Sequence, residues 1–329
     1  MNYSDKFFSI IIIFHNSEKN IKKCLESVLN QNKIELCQVV MVNDCSEDNS
    51  LCIVQDVLAN YSVDYILFSN KKQLGISASR QKGLDLSNGQ YIYYIDSDDY
   101  IDNSFIEFSY NFLLNNSKDI VFFDYYMEYS NKQILKRNQK ILINEIDKDI
   151  ISGEIYGFLW NKIIRRELFF ENNIMFAKNV DMWEDSLITA KLCSKTNCIS
   201  YCEKAYLHYV QNEVSCVHKK MNDVIATSMQ LAIEDFSRFF KNDIFQESIN
   251  LRIVEYHITM FLRADYAMYL KYVKQYPIKM KYVFQARQYN FFLKLTYALF
   301  KVLPTKINFY LLKGGYIICT KIVKKNQKN

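Results

Sequence analysis

The stretch YIYYIDSDDYID, residues 91–102, ends an aromatic, apolar run on the aspartates Asp96, Asp98, Asp99 and Asp102. Carboxylates this close repel one another unless a cation lies among them. Magnesium and manganese take hard oxygen ligands and commonly only one or two protein carboxylates, with water and phosphate oxygens completing the shell. Asp96-Ser97-Asp98 is therefore a candidate metal motif for Mn2+ or Mg2+. A D-x-D alone is a weak signal. Asp147-Lys148-Asp149 has the same form but stands at a polar helix start, where carboxylates complement the helix dipole. The bland reading of the cluster is an acidic loop whose Asp99 or Asp102 caps the next helix, and for Asp102 or Asn103 taken singly capping is the expectation. A second carboxylate pair, Glu184-Asp185 in MWEDSL, opens an amphipathic helical pattern, and there too the bland reading is dipole complementarity.

What has to position these groups is a sheet. The β-rich runs at 7–14, 39–42, 65–68, 91–95 and 120–123 alternate with helical patterns. Ile21, Cys24, Leu25, Val28 and Leu29 fall on one helical face, and a helix started by Ser46 turns Leu51, Val54 and Leu58 inward. Further helices are predicted over 75–87 and after Asn103. Strand-helix alternation predicts a parallel sheet covered on both faces, an α/β fold. Ligands of such sheets bind beyond the carboxyl ends of the strands. There stand His15 and Asn16, Asn43 and Asp44, Ser69 and Asn70, and Asp96 to Asp99.

Composition narrows the classes. A chain of 329 residues, half of them apolar, can bury a large core, and one larger domain with a smaller appendage is expected. Seven glycines and two prolines leave no room for repeats or long flexible linkers. No GxGxxG follows the first strand and no GxxxxGK[ST] occurs, so a bound nucleotide would need another holder for its phosphates; a metal supplies one. Nine scattered cysteines suggest reduced thiols in a cytosolic protein, with Cys24, Cys52 and Cys193 among apolar helix residues. A zinc site could draw on Cys193, Cys198, Cys202, His208, Cys216 and His218, but the spacings lack a CxxC knuckle, and buried cysteines are the expectation. FFSIIIIF at 7–14 could pass for an export signal; Asp5 precedes it and no small-residue cleavage site follows, so a buried first strand is expected.

Segments in a fixed order carry a resemblance: SIIIIFHNSEKNIKKCLESVLNQ, VVMVNDCSEDNS, NKKQLGISASRQKGLDLSNGQYIYYIDSDDYID, FLWNKIIRREL and MWEDSLITAKLC. Over about residues 7–215 the chain resembles glycosyltransferase family 2, inverting nucleotide-sugar transferases of the GT-A fold. The resemblance implies a Rossmann-like α/β domain over 1–218, with a mostly parallel sheet flanked by helices, and a C-terminal helical extension over 219–329. Two departures stand out. Ile13, Phe14, His15 and Asn16 replace the usual P-x-Y-N, and Asn43, Asp44, Cys45 and Ser46 replace D-D-G-S. The Q-x-x-R-W of processive members is absent, which implies addition of one sugar or a short unit.

The resemblance also implies roles. The donor, a UDP-sugar, would meet Phe14, His15 and Asn16 largely through backbone, pair its uracil with Asp44, and lie near Arg80, Asp96 and Ser97. Asp98 would be the main metal ligand, and Asp96 would hold the ribose or a metal-bound water. Arg80 has a bland alternative as a surface ion pair. Inverting transfer is a single displacement in which a carboxylate takes the acceptor proton. Asp185 is the implied base, with Glu184 beside it as neighbour or acceptor clamp. Trp160 and Lys162 of WNKII, with Trp183, would build the acceptor side, although Trp160 and Trp183 also read as core. His208 and Ser215 in YLHYVQNEVS would touch the metal or diphosphate; a lone histidine reads equally well as structural.

The net charge of +5 hides a partition. After Asp265 no acidic residue occurs, and residues 266–329 carry 13 Lys and Arg among 14 Tyr and Phe, leaving a net −8 for residues 1–265. Recurring lysines interrupt every apolar run, so a bilayer span is not expected. Basic, aromatic amphipathic helices lie in the membrane interface. The expectation is cytoplasmic, peripheral attachment to the inner, anionic face of the plasma membrane, suited to a glycan or lipid-linked acceptor of surface polysaccharide assembly. A homo-oligomer through the same helices is the alternative. Nucleic acid is not an expected partner, because the acidic first 265 residues and the apolar tail oppose it. Two other classes share parts of the pattern. A non-catalytic membrane-peripheral scaffold would lack turnover with any donor, and a nucleotidyltransferase would carry a glycine-rich basic first loop where this chain reads FHNSEKN.

Overall fold

The computed structural model describes residues 6–137, 145–211 and 220–326, with 319–326 as helix backbone. The chain forms two compact units, residues 1–147 with 157–215, and residues 148–156 with 216–329. A boundary at residue 218 does not by itself describe this division, because residues 148–156 go with the helical unit.

The first part of the chain runs β1 (Phe8–Phe14), α1 (Ile21–Leu29), β2 (Cys37–Asn43), α2 (Ser50–Leu58), β3 (Asp64–Ser69), α3 (Ile76–Leu86), β4 (Tyr91–Asp96), β5 (Tyr100–Ile101) and α4 (Phe105–Asn115). It continues with β6 (Ile120–Tyr129), β7 (Lys132–Lys136), α5 (Ile146–Ser152), β8 (Lys162–Arg165), α6 (Arg166–Glu171), α7 (Glu184–Cys193) and β9 (Ile199–Val210). The strands form one sheet in the order β3-β2-β1-β4-β8-β6-β9-β5, with β7 beside β6. Phe8 at the start of β1 stands opposite Cys37 on one side and Tyr91 on the other, both in parallel register. A strand flanked by parallel neighbours and covered on both faces has no solvent side, which is why β1 and β2 read as continuous apolar runs.

The parallel order extends from β3 to β4 and then changes. β8 runs antiparallel to both β4 and β6, β9 is parallel to β6, and β5 and β7 are antiparallel to their partners. The sheet is therefore mixed, with the change of direction at β8.

α1 buries the predicted stripe Ile21, Cys24, Leu25, Val28 and Leu29. α2 starts at Ser50 rather than Ser46, since the residues between them are committed to a loop; Val54 and Leu58 are buried and Leu51 half-buried. α3 approaches β1 so closely that a Cβ at Gly83 would collide with Ile11. The expectation that Asp102 or Asn103 caps α4 is overturned. Gln31, just beyond α1, does this instead, accepting from Ile106 N at 3.1 Å and donating to the Asp102 carbonyl at 2.8 Å. Among the described cysteines no disulfide occurs; Cys24, Cys193 and Cys202 are buried, but Cys52 and Cys198 are exposed, against expectation. Cys216 and His218 lie outside the described residues.

The helical unit contains α8 (Asp223–Phe239), α9 (Gln246–Arg263), α10 (Tyr266–Val273), α11 (Met280–Gln285), α12 (Phe291–Val302) and α13 (Lys306–Asn326). Asn222, Asp265 and Asn290 start α8, α10 and α12 by accepting from a backbone N–H in the first turn, as short polar side chains do at helix starts. Tyr256, Phe261, Tyr297, Phe300 and Phe309 form its buried core. Buried Arg252 of α9 donates to the carbonyls of Ile150 and Ile151 at the end of α5, where the Ile150 carbonyl also accepts from Gly153 N. Among the described residues no helix is long and apolar enough to cross a membrane.

Candidate active site

The loops after β1 and β2 are stitched to each other. His15 Nδ1 donates to the Asp44 carbonyl at 2.8 Å, and Asn16 Nδ2 lies 3.2 Å from His15 Nε2. Asn16 N donates to Ser46 Oγ at 3.1 Å and Asn16 Oδ1 accepts from Glu47 N at 2.8 Å. Phe14 is a core side chain, 1% exposed; only its carbonyl reaches the loop, accepting from Asp44 N at 2.9 Å. Asn43, where the resembling pattern has aspartate, uses its amide both ways, accepting from Ser46 N at 2.9 Å and donating to Ser69 Oγ at 3.3 Å. Cys45, where that pattern has glycine, sits at φ 59°, in the left-handed region that glycine enters without strain.

Asp44 is buried and organises the next loop. Its Oδ1 accepts from Asn70 Nδ2 at 2.8 Å and from Leu74 N at 2.9 Å, and its Oδ2 accepts from Gly75 N at 2.9 Å. The carboxylate thereby sets the start of α3, the helix that carries Arg80. Gly75 has φ 91°, and a Cβ there would collide with the Asp181 carboxylate. Asp181 Oδ1 accepts from Ser77 N at 3.0 Å, and Ser77 Oγ donates to the Val180 carbonyl. Asp181 thus caps α3 from a segment far away in sequence, a partnership that no local pattern announces.

The acidic cluster occupies the carboxyl end of β4. Ser97 Oγ lies 2.8 Å from Ser17 Oγ, tying the β4 loop to the β1 loop. Asp96, Ser97 and Asp98 are half-buried and Asp99 is buried. Asp99 Oδ1 accepts from Val210 N at 2.9 Å, while its buried Oδ2 has no partner. Burial, and then the neighbouring Asp98 and Asp96, push the Asp99 carboxyl well above the usual carboxylate range. An orphaned buried oxygen beside two half-buried carboxylates, of which Asp96 is shared with Arg80, is a hard-oxygen donor set of the kind that would fit a divalent cation. Among the described residues no group of three His, Cys, Asp or Glu side chains is placed to enclose an ion. Such a cation would rest on one or two carboxylates and take its remaining ligands from water and substrate.

Arg80 joins the two acidic motifs. It is 4% exposed; Nη2 donates to Asp96 Oδ1 at 2.9 Å and Nη1 to Glu184 Oε1 at 2.5 Å. The surface ion-pair reading is thereby replaced by a buried bridge from the end of β4 to the start of α7. Burial and then the Asp185 charge push Glu184 up to about 8, with Arg80 opposing. Asp185 is half-buried, and its Oδ1 accepts from Ser186 N at 2.6 Å. A half-open carboxylate next to a buried, cation-held one is the arrangement a proton acceptor for an incoming hydroxyl needs. Trp183, just before α7, is half-buried at φ 65°, a left-handed conformation uncommon for a bulky side chain and costing roughly 1–3 kcal/mol.

Other expected site residues lie elsewhere. Lys162 is not an acceptor contact. It is 0% exposed, paired with Phe122 across β8 and β6, and its Nζ donates to Asn161 Oδ1 at 2.8 Å and lies 4.9 Å from the Phe122 ring centre. Burial lowers its pKa to about 7. Trp160 is core, stacked between Phe158 at 4.4 Å and Tyr209 at 5.0 Å. Its neighbour Tyr209 stands near the acidic cluster, its pKa raised by burial and then by Asp99, Asp96 and Asp98.

His208 is structural as well. Its Nε2 lies 3.1 Å from Asp102 Oδ1, and its Nδ1 lies 2.9 Å from Gln133 Nε2 and 3.2 Å from Glu128 Oε2. Its ring stacks between Tyr100 at 4.3 Å and Tyr126 at 5.1 Å. Both nitrogens are engaged, leaving none for a metal or diphosphate, and Asp102 is the histidine's partner rather than a helix cap. Ser215 lies outside the described residues. Sequence reasoning missed Asp181, Asp99's hold on Val210 and the Ser17–Ser97 contact. Asp99, Ser97 and Asn70 carried the signal of a place just after a strand; Asp181 and Ser17 carried none.

Comparison with known proteins finds glycosyltransferases. A cholesterol galactosyltransferase of Borreliella burgdorferi is 26% identical over 302 residues, covering 84% of this chain and 79% of that protein. A poly(ribitol-phosphate) beta-glucosyltransferase of Bacillus spizizenii is 26% identical over 275 residues, covering 83% of this chain and 42% of that protein. Among solved structures, S. aureus TarS 1–349 in complex with UDP-GlcNAc superposes with a TM-score of 0.68 at 19% identity, covering 94% of this chain and 91% of that one. At that identity the likeness establishes the fold, a GT-A-like mixed sheet flanked by helices with C-terminal helices following. Residues 9–179 match Glycosyl transferase family 2; that segment includes the stitched loops, Arg80 and the β4 acidic cluster and stops just short of Glu184, and the chain belongs to this family of glycosyltransferases.

Proposed function

We propose that this chain transfers a single hexosyl or N-acetylhexosaminyl residue from a UDP-sugar to a hydroxyl of a glycan or lipid-linked acceptor, with inversion, in the assembly of a cell-surface polysaccharide. The observation that carries the reading is the Arg80 bridge, which brings the strand-end carboxylates and the Glu184-Asp185 pair into one site. Asp185 takes the proton of the attacking hydroxyl; Glu184, fixed by Arg80, keeps that helix start in register. Asp44, expected to pair with the uracil, has both carboxylate oxygens engaged by residues 70–75 and instead orders that loop, against which the uracil would lie. Asp98, assisted by Asp96, would hold Mn2+ or Mg2+, which when bound would neutralise the charge that develops on the departing diphosphate.

The names of the relatives support the substrate class. They include a galactosyltransferase, a transferase acting on poly(ribitol phosphate), and TarS solved with UDP-GlcNAc. This chain spans less than half of the poly(ribitol-phosphate) enzyme, 42% of its length, so that enzyme's acceptor is not carried over whole. We place the enzyme on the cytoplasmic face of the membrane, where lipid-linked acceptors and UDP-sugars meet.

The test is release of UDP from a panel of UDP-sugars, with and without Mn2+. Release should depend on the metal, fall by a factor of about 100 or more in Asp185→Asn as general-base loss does, and disappear in Asp98→Ala. Release that is indifferent to metal and to Asp98 would remove the metal from the reading. No turnover with any donor would favour a binding protein on a transferase fold.

A further inference from the structure

The helical unit presents an apolar surface that its own core does not use. On α12 the side chains of Phe292, Leu295, Leu299, Val302 and Leu303 are exposed, while Leu293, Tyr297 and Phe300 on the opposite side are buried. The exposed set recurs at three- and four-residue intervals and therefore forms one stripe along the helix. α13 repeats the pattern with Ile307, Leu311 and Ile318, of which Ile307 is 71% and Leu311 67% exposed. Lys306 beside Ile307 is exposed, whereas Lys313 turns to the inner side of α13, where its Nζ donates to the Ala264 carbonyl at 2.7 Å. Monomeric soluble proteins seldom leave a contiguous apolar surface of this extent in water.

We propose that the α12–α13 face lies on an anionic lipid surface, its apolar stripes among the acyl chains, with exposed lysines of the basic segment such as Lys301 and Lys306 drawn to the phosphates. This deepens the membrane-attached reading above and does not depend on the transfer chemistry. The charge decides the occupant. Residues 266–329 contain 13 Lys and Arg and no acidic residue. Mating this face with the same face of a second copy would bring like charges together with no carboxylate from this segment to answer them. An anionic leaflet supplies the missing charge, and long lysine side chains reach it while their stems stay on apolar surface. Nucleic acid would use the lysines but gain nothing from the aliphatic stripes. A cavity of about 290 Å³ adds a second indication, for Leu270, Val273, Phe300 and Pro304 line it together with Lys274 and Lys301. Apolar walls with two ammonium groups suit an acyl chain that carries a phosphate.

The test is co-sedimentation of the full chain with vesicles of phosphatidylcholine alone and of phosphatidylcholine mixed with phosphatidylglycerol, at low and high salt, with no donor or acceptor present. The wild type should bind the anionic vesicles at least about tenfold more tightly than the neutral ones and lose that preference in high salt. Val302→Asp/Ile307→Asp should weaken binding about tenfold or more, whereas Lys301→Glu/Lys306→Glu should abolish mainly the preference for anionic lipid. Both variants alter exposed side chains, and unchanged circular dichroism and UDP release separate lost binding from lost folding. Failure of UDP release in the wild type would sink the catalytic reading and leave this one standing. The proposal is overturned if the apolar variant binds vesicles as the wild type does. It is equally overturned if light scattering shows a wild-type dimer that the apolar variant dissociates and that binds no vesicles.

Discussion

Arg80 answers two carboxylates with one guanidinium, and the fork geometry of that group is what lets a single side chain span Asp96 and Glu184. Arg80→Met would leave both acids without their cation, and breaking a buried pair this way costs roughly 3–5 kcal/mol. Denaturant unfolding should register that loss together with a loss of UDP release. Arg80→Lys should fall between, and Arg80→Met/Glu184→Gln should recover part of the stability; a wild-type midpoint for Arg80→Met would mean the bridge contributes nothing. Lys162 makes the opposite case, a buried cation with no acid in contact. Its folded pKa of about 7 lies below its unfolded value. The penalty of burying Lys162 is therefore absent above the unfolded lysine range and grows as pH falls toward 7, because the unfolded chain takes up a proton that the folded core refuses. Lys162→Met should remove that penalty, so its melting temperature relative to wild type should rise as the pH is lowered from 10 to about 6. A constant difference across that range would show that burial does not set the ionisation. At this scale the acidic groups were legible because aspartates at the end of an aromatic strand are unusual. The fates of Lys162 and His208 were not, since the same residue types serve equally well in a core or in a cleft.

Among the elements, α3 is the one the site depends on, and its start is built from outside itself. Gly75 takes the left-handed turn, Asp44 holds the preceding N–H groups, and Asp181 accepts from Ser77 N. Loss of a cap of this kind costs about 1 kcal/mol. Asp181→Ala should lower stability by that amount and raise KM for the donor more than it lowers kcat, because the helix carrying Arg80 would be less well positioned. Asp181→Asn keeps an acceptor oxygen and should restore most of both; equal loss in the two variants would argue against a cap. β1, β2 and β4 were legible from their apolar runs because they are buried on both faces, and even the edge strand β3 keeps the apolar run Tyr65–Phe68. β8 and β9 were not. Lys162–Arg165 is short and carries charge at both ends, and β9 is interrupted by Glu203 and Lys204 where its register with β6 shifts. Strands that bend or lie between antiparallel partners lose the period on which a sequence reading rests.

At the scale of the whole molecule, the charge partition is a property of the chain itself, with an acidic first 265 residues and a wholly basic remainder. Opposite fields of this kind govern which surfaces a protein approaches more than how it folds. The division into units is not a simple cut, since residues 148–156 leave the first unit and are held in the second through the Arg252 bonds to Ile150 and Ile151. By itself the sequence determined the alternation of the first strands and helices, the polar rim at the strand ends, the acidic motifs and the basic tail. Each of these follows from local composition and period. Only the tertiary structure decided that Arg80 joins Asp96 to Glu184, that Asp181 caps α3, and that His208 belongs to Asp102 while Lys162 belongs to the core. Those are contacts between residues far apart in sequence, and burial, which sets both the strength of an ion pair and the cost of a lone charge, is not a property of any local stretch.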